Sequence, residues 1–452
     1  VKVSPDPVAE KYLRSYAEAT GAWAHYLEDW APFTSAVVVP AYREKANVIR
    51  SLLKKVKCQG HALVILVVNQ PEGASPEAHQ INQELIRALA GELTFIRKFD
   101  GTHLSFYQRA HEQGGKISLA LIDGTSTAYC LHNRDGVGRA RKMGMDFALA
   151  LYEMGLLTAR FVGSSDADAF LPEEYFSTLT RAGQGDFFQK NTLKEQRTCS
   201  ALLFPYEHIA HEDRSLFARM QEVEASFRYY VLGLAKANSP YAFHSLGSAL
   251  AVSLPHYARV RGFPNRQAGE DFYVLGKLCK LAPMIRLVSP RVSIETRLSD
   301  RVPFGTGPSL QRAQELASTS SFLGYNPQAF MYLEAFLKVM TQAAEGGSLN
   351  EVVLNQLPAW AQQLGEKIWL KLAPHLQSCP SSTHRRRCFH DQFDALATLQ
   401  FIHLAHEREL NKVPLRDALI ELGCISPEQS IQSGLASLRA QEEALPTLVG
   451  PA

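Results

Sequence analysis

Continuous apolar runs, broken at short intervals by stretches of mixed polarity, set the pattern of this chain. Ser35–Tyr42 (SAVVVPAY) and His61–Asn69 (HALVILVVN) are rich in β-branched residues, the profile of strands buried on both faces. Ile117–Ile122 (ISLALI) repeats that profile, and Phe161–Ser165 is a shorter version of it. Pro40 is expected to stop the first strand. Between the runs, apolar residues recur at helical spacing. Val48, Ile49, Leu52, Leu53 and Val56 predict one helix, Glu77–Ala90 a second, and the stretch from about Gly138 to Tyr152 a third. Glu92–Arg97 reads as an edge strand. Strands alternating with helices in this way predict an α/β fold on a parallel or mostly parallel sheet.

The flanks read differently. Pro7–Trp30 predicts one amphipathic helix, with Val8, Tyr12, Leu13, Tyr16, Trp23 and Tyr26 on one side. Beyond the fourth strand come a short strand over Asp186–Asn191, a long helix over Asp213–Ala237 and a small-residue run over Ser245–Ser253. Pro255–Gly262 is a helix or turn, and a further helix starts after Gly269. Met284–Thr296 reads as extended, and Arg301–Pro308 as a loop by composition. A boundary is expected within Ser309–Tyr325, with helical periodicity only from there to about Leu445. The expected division is an N-terminal helical segment (1–34), an α/β domain (35–308) and an all-helical C-terminal domain (309–452).

Composition narrows the class without naming it. Hydrophobic content of 46% and charged content of 20% fit an ordinary globular chain, and 452 residues allow two or three domains. A net charge of +2 supplies no global field that favours nucleic acid or an anionic membrane. Seven irregularly spaced cysteines point to reduced thiols and a cytoplasmic setting rather than a disulfide framework. Apolar runs such as Ala62–Val68 are too short to span a bilayer, so no transmembrane segment is expected, and no export signal is visible.

The chemistry concentrates in Arg160–Pro172 (RFVGSSDADAFLP). A strand leaves the core there, passes Gly163, Ser164 and Ser165, and reaches Asp166 and Asp168 before a helix start at Leu171–Glu174. Residues i and i+2 of an extended backbone point to one side, so both carboxylates can face one point. Such a pair suits a hard cation, Mn²⁺ or Mg²⁺, completed by substrate phosphate oxygens. The plain alternative is that Asp168 caps the following helix. Pro40–Tyr42, Asn69–Gln70 and Asp166–Asp168 all lie at strand ends, where open α/β sheets hold their ligands.

Four motifs in order carry a resemblance. VVVPAYRE (Val37–Glu44), GVGRARKMG (Gly136–Gly144), SSDADAF (Ser164–Phe170) and GED before an apolar helix (Gly269–Leu278) resemble GT-A-fold glycosyltransferases, closest to family 2. The likeness covers roughly residues 35 to 300. It implies a GT-A fold and a metal-dependent, non-processive transfer of one sugar from a nucleotide-diphosphate sugar to a hydroxyl acceptor. The acceptor could be a small molecule, a glycan or a lipid-linked glycan. Asp168 would hold Mn²⁺ or Mg²⁺, and Asp166 would join the metal shell or contact the ribose. Pro40, Tyr42 and Glu44 would border the nucleotide, and Arg139 and Arg141 would meet the diphosphate or fix the loop. Asp271 resembles the general base of inverting members, with Glu270 supporting it or holding the acceptor. The alternative for this pair is that both complement a helix amino end.

Departures from the family matter as well. The second strand ends Val68-Asn69-Gln70 instead of in acidic residues, which leaves Asn69 as donor and acceptor for a base. The Gln-x-x-Arg-Trp motif of processive synthases is missing. His244 is a candidate third metal ligand, set against a structural histidine. Arg291, Arg297 and Arg301 are candidates to clamp phosphate, with Arg301 the chosen donor contact, set against surface ion pairs. Cys379, His384, Cys388 and His390 around Arg385–Arg387 match no tetrahedral zinc spacing, and a mobile basic loop is expected there. Rival readings are a retaining GT-A enzyme, a sugar-phosphate nucleotidyltransferase and a catalytically silent scaffold. The site is expected in the cytoplasm, at most peripheral to the inner membrane. A homodimer is left open.

Overall fold

The structure, a computed structural model, describes residues 6–47, 49, 56–110, 115–126, 129–132, 135–184, 199–303, 305–316 and 321–451. Most of the helix expected at Val48–Val56 and the strand expected at Asp186–Asn191 lie outside them. The chain divides into two compact units. The first contains residues 1–210, 245–278 and 287–308; the second contains 211–244, 279–286 and 309–452.

The first unit is built on a mixed sheet. Its strands are β1 (Ser35–Ala41), β2 (His61–Asn69), β3 (Thr94–Lys98), β4 (Leu104–Ala110), β5 (Lys116–Gly124), β6 (Phe161–Ser164), β7 (Ala169–Phe170), β8 (Ala201–Leu203), β9 (Tyr206–His208) and β10 (Leu250–Ser253). Eight of them follow the order β8-β10-β6-β1-β2-β5-β4-β3. The centre is parallel: β2 runs with β1 and β5, and β1 with β6. Both flanks are antiparallel, through β10 on β6 and β4 on β5. The sequence pattern overlooks β4, because LSFYQRA has only weak alternation. Pro40 does not stop β1; it pairs in register with Val67, and the strand continues to Ala41.

β1 and β2 are apolar between their ends and buried at every position but His61, as strands covered on both faces are. Helix α1 (Pro7–Ser15) ends early, and a 3-10 segment over Ala19–Leu27 follows, in place of the single helix expected. Tyr12 and Trp23 are buried, whereas Val8, Tyr16 and Tyr26 are exposed, so the predicted stripe breaks where the helix does. Helix α2 spans Pro76–Glu92, and α3 spans Gly136–Glu153. Asp146 of α3 is fully buried and accepts from Tyr12 Oη at 2.6 Å, Lys142 Nζ at 2.6 Å and Tyr257 Oη at 2.8 Å. It also accepts from the Glu18 amide at 2.7 Å. That shared carboxylate fastens the N-terminal segment to α3. Helix α4 (Tyr175–Gln184) starts just after the two aspartates, the short helix α6 spans Leu254–Arg259, and β12 (Val292–Ile294) joins β7 and β9 in a small second sheet.

In the second unit, helix α5 (Arg214–Lys236) and the helices from Pro327 to Glu443 surround one apolar core that includes Tyr229, Phe330, Phe336, Phe401 and Leu438. β11 (Met284–Arg286) pairs antiparallel with Leu448–Val449. The Arg385–Arg387 run is helical, within Ser382–Gln392, and not a loop. Ser381 caps that helix by accepting from the His384 amide. No helix among the described residues is long and apolar enough to cross a membrane.

Candidate active site

The carboxyl ends of β1, β2 and β6 in the first unit carry most of the polar residues singled out by sequence. Two arginine clusters organise them. The first centres on Arg141, in the second turn of α3 and only 3% exposed. Its Nη1 donates to Ser164 Oγ at 2.7 Å and to the carbonyls of Ser165 and Gly247, both at 3.2 Å. Its Nε donates to Glu270 Oε1 at 2.7 Å, and its Nη2 forms an ion pair with Asp166 Oδ1. A Cβ at position 247 would collide with this guanidinium, so the glycine lets the chain approach it closely. Burial pulls the guanidinium pKa down, but Asp166 and Glu270 more than offset it, and the net shift is upward.

The second cluster centres on Glu44, which β1 delivers after a left-handed turn at Arg43 (φ 55°). Glu44 is buried, and its two oxygens accept from Arg297 Nη1 at 2.9 Å and Nη2 at 2.7 Å. Arg301 Nη1 also pairs with Glu44 Oε1, and donates to the Tyr42 carbonyl at 3.1 Å. Held this way, Arg297 reaches Asp168 with Nε at 2.8 Å and Nη2 at 2.6 Å from Oδ2. Arg301 Nη2 lies 3.6 Å from the same oxygen. Glu44 therefore positions the two arginines. Arg297 is a functional candidate that the sequence shows only as one of three loop arginines; its bidentate pairing with Glu44 has no linear signal.

Helix α7 (Glu270–Leu281) follows Gly269, whose φ of 73° suits glycine, and presents Glu270 and Asp271 in its first turn. The Asp271 carboxyl accepts from the Phe272 amide at 2.7 Å. Its pKa is pushed from 3.8 up to about 7, first by burial and then by the charge of Glu270; Arg141 pulls the other way. Asp166 also raises it, so the two carboxyls share one electrostatic neighbourhood. The Asp166 carboxyl is itself raised, by burial first, with Arg141 opposing and Asp168 and Glu270 adding.

The remaining candidates fall elsewhere in the geometry. Pro40 is a buried member of β1. Asn69 is buried, and its carbonyl accepts from Asn82 Nδ2 at 3.4 Å. Asn82 also binds Gln70 and the Arg43 amide, tying the ends of β1 and β2 together. Arg139 pairs with Glu18 and with Asp135, both at 3.1 Å, which fixes the N-terminal segment to α3. His244 belongs to the second unit, where its Nε2 is 2.8 Å from Glu442 Oε1. Glu442 also pairs with Arg228, so this histidine is engaged in an ion-pair network.

Asp166 and Asp168 supply the acceptor-only oxygens that a hard divalent cation takes. Among the described residues no group of three His, Cys, Asp or Glu side chains converges on a point. A cation held by the two aspartates would draw its other ligands from water and a bound phosphate, the usual habit of Mg²⁺. The chain matches no protein-family model, and no curated protein matches it.

Proposed function

We propose that the chain is a metal-dependent, non-processive GT-A glycosyltransferase that moves one sugar from a nucleotide-diphosphate donor to a hydroxyl acceptor with inversion. The observation that carries this reading is the bridge made by Arg141. One buried guanidinium contacts Asp166 and Glu270, which are far apart in sequence, and leaves Asp271 beside them with a carboxyl poised near neutrality. That is the pKa a general base needs at ordinary pH. Asp271 takes the proton of the acceptor hydroxyl as its oxygen forms a bond to the anomeric carbon. The bond from that carbon to the diphosphate breaks, and its electron pair leaves with the phosphate oxygen. Glu270, paired with Arg141, holds the first turn of α7 in place.

Asp168 and Asp166 would hold Mn²⁺ or Mg²⁺. The ion, when bound, neutralises charge on the leaving diphosphate. Arg297 and Arg301 stand beside Asp168 as planar donors suited to phosphate oxygens. Asn69 and Tyr42 would border the nucleoside. This reading places the chain in the cytoplasm, with a hydroxyl acceptor that is a small molecule, a glycan or a lipid-linked glycan.

A thermal-shift screen of nucleotide sugars with and without Mn²⁺ tests the donor. Transfer assays then compare Asp271→Asn with the parent chain. The expected result is retained donor binding with transfer lowered about 10³-fold, and in the parent chain kcat/KM rising with pH through about 7. Near-normal turnover in Asp271→Asn overturns the base assignment. Calorimetry on Asp168→Ala should show loss of metal-dependent donor binding, and unchanged affinity overturns the metal assignment. Pyrophosphate release from a nucleoside triphosphate plus sugar phosphate would favour the nucleotidyltransferase instead.

A further inference from the structure

Away from the aspartates, the second unit holds a pair of thiols. Cys379 lies in the connector after the helix Ala359–Leu376, and Cys388 lies within the helix Ser382–Gln392. Their Sγ atoms are 3.4 Å apart, in hydrogen-bond contact across nine residues of sequence. Cys58, Cys199, Cys279 and Cys424 are buried, whereas Cys379 and Cys388 are both partly open to solvent.

We propose that Cys379 and Cys388 form a two-electron redox site, which a peroxide closes to an intramolecular disulfide and a thiol reductant reopens. The two sulfurs must approach to about 2.05 Å. Cys379 sits in the connector outside the flanking helices, where its Sγ also lies 3.4 Å from the His375 carbonyl. The Cys388 thiol pKa is raised, first by burial, next by its hydrogen bond to Cys379, and also by the charge of Asp391. Cys388, fixed within its helix, serves as the resolving thiol, and Cys379, in the connector, as the attacking one. Cys379 attacks the peroxide first: its sulfur takes one oxygen to become a sulfenic acid, and the peroxide's other oxygen leaves as water. The Cys388 sulfur then displaces hydroxide from that sulfur. Overall, two thiols and one peroxide yield one disulfide and two waters.

The test uses the full chain with hydrogen peroxide, thiol counting under denaturing conditions and peptide mass spectrometry. The expected result is loss of two of the seven thiols, a cross-linked peptide joining Cys379 to Cys388, and full recovery with dithiothreitol. In Cys388→Ser, dimedone should label Cys379 as a trapped sulfenic acid, and Cys379→Ser should prevent any labelling at Cys388. Retention of all seven thiols, a disulfide to any other cysteine or between chains, or a labelled Cys388 in Cys379→Ser would each overturn the proposal.

Discussion

Arg141 and the Arg297–Arg301 pair each neutralise one of the two neighbouring aspartates, but they are held very differently. Arg141 is 3% exposed and is gripped from beneath by Ser164, Ser165 and Gly247 before it meets a carboxylate. Arg297 and Arg301 are 24% and 21% exposed, and both pair with the single carboxylate of Glu44, Arg301 with added help from the Tyr42 carbonyl and Ser299. The backbone supplies the first cluster with neutral acceptors, so its guanidinium is fixed whatever binds at Asp166. The second cluster is held mainly by charges between side chains, with the Tyr42 carbonyl as an added acceptor for Arg301. Two aspartates one residue apart are thus held differently: Asp166 by a guanidinium anchored on backbone carbonyls and Ser164, Asp168 by guanidiniums that share Glu44.

The contrast can be broken by substitution. Arg141→Met should cost about 3–5 kcal/mol, because it leaves the buried Glu270 without its partner, while Asp166, whose side chain is 36% exposed, adds little. Urea unfolding would measure this, and a loss under about 1 kcal/mol would remove Arg141 from the framework. Gly247→Ala should cost about 1–3 kcal/mol by pushing the same guanidinium off its acceptors. Crystallography of that variant should show Arg141 turned away from Ser164.

The pH dependence sharpens the comparison further. In the fold Asp271 keeps its proton up to about pH 7, whereas its ordinary value is 3.8. The native state therefore binds more protons across that window, and stability from this group falls as pH rises through it. Asp271→Asn should erase the fall, leaving the variant more stable than the parent chain above pH 7 by about 1–2 kcal/mol and closely matched below pH 4. Denaturant midpoints at pH 4 and pH 8 check the sign. The smallest effect is expected for Arg297→Met, about 1 kcal/mol, since Arg301 still answers Glu44. If Arg297→Met matched Arg141→Met in cost, the two clusters would be alike after all.

The parts of this arrangement were unequally legible in the chain. β1, β2 and β5 could be read because full burial demands uninterrupted apolar residues, and that demand is local. Asp166 and Asp168 stood out because they follow such a strand at once. Arg141 was visible as a candidate but its partners were not, since Glu270 and Gly247 reach it only after the sheet has formed. Glu270 in a helix's first turn reads from sequence as a support for Asp271 or an acceptor contact, with dipole compensation as the alternative, and in the fold it is committed to a buried guanidinium. The N-terminal helix was misjudged because its aromatic spacing runs past Ser15, while burial there is decided by α3: Thr20 Oγ1 donates to the Met143 carbonyl.

The carboxylate of Asp146, shared by Tyr12, Lys142 and Tyr257, bears on how the protein should be handled. The stretch ahead of the first strand behaves as a plug and not as a leader that can be trimmed. A chain shortened to begin at the first strand would leave an ammonium and a carboxylate facing a dry interior with three of their ligands, Tyr12 Oη, the Tyr16 carbonyl and the Glu18 amide, cut away. Affinity tags and fusion partners therefore belong upstream of Asp6, and shortened versions that expose this helix are poor material for judging what the intact protein can do.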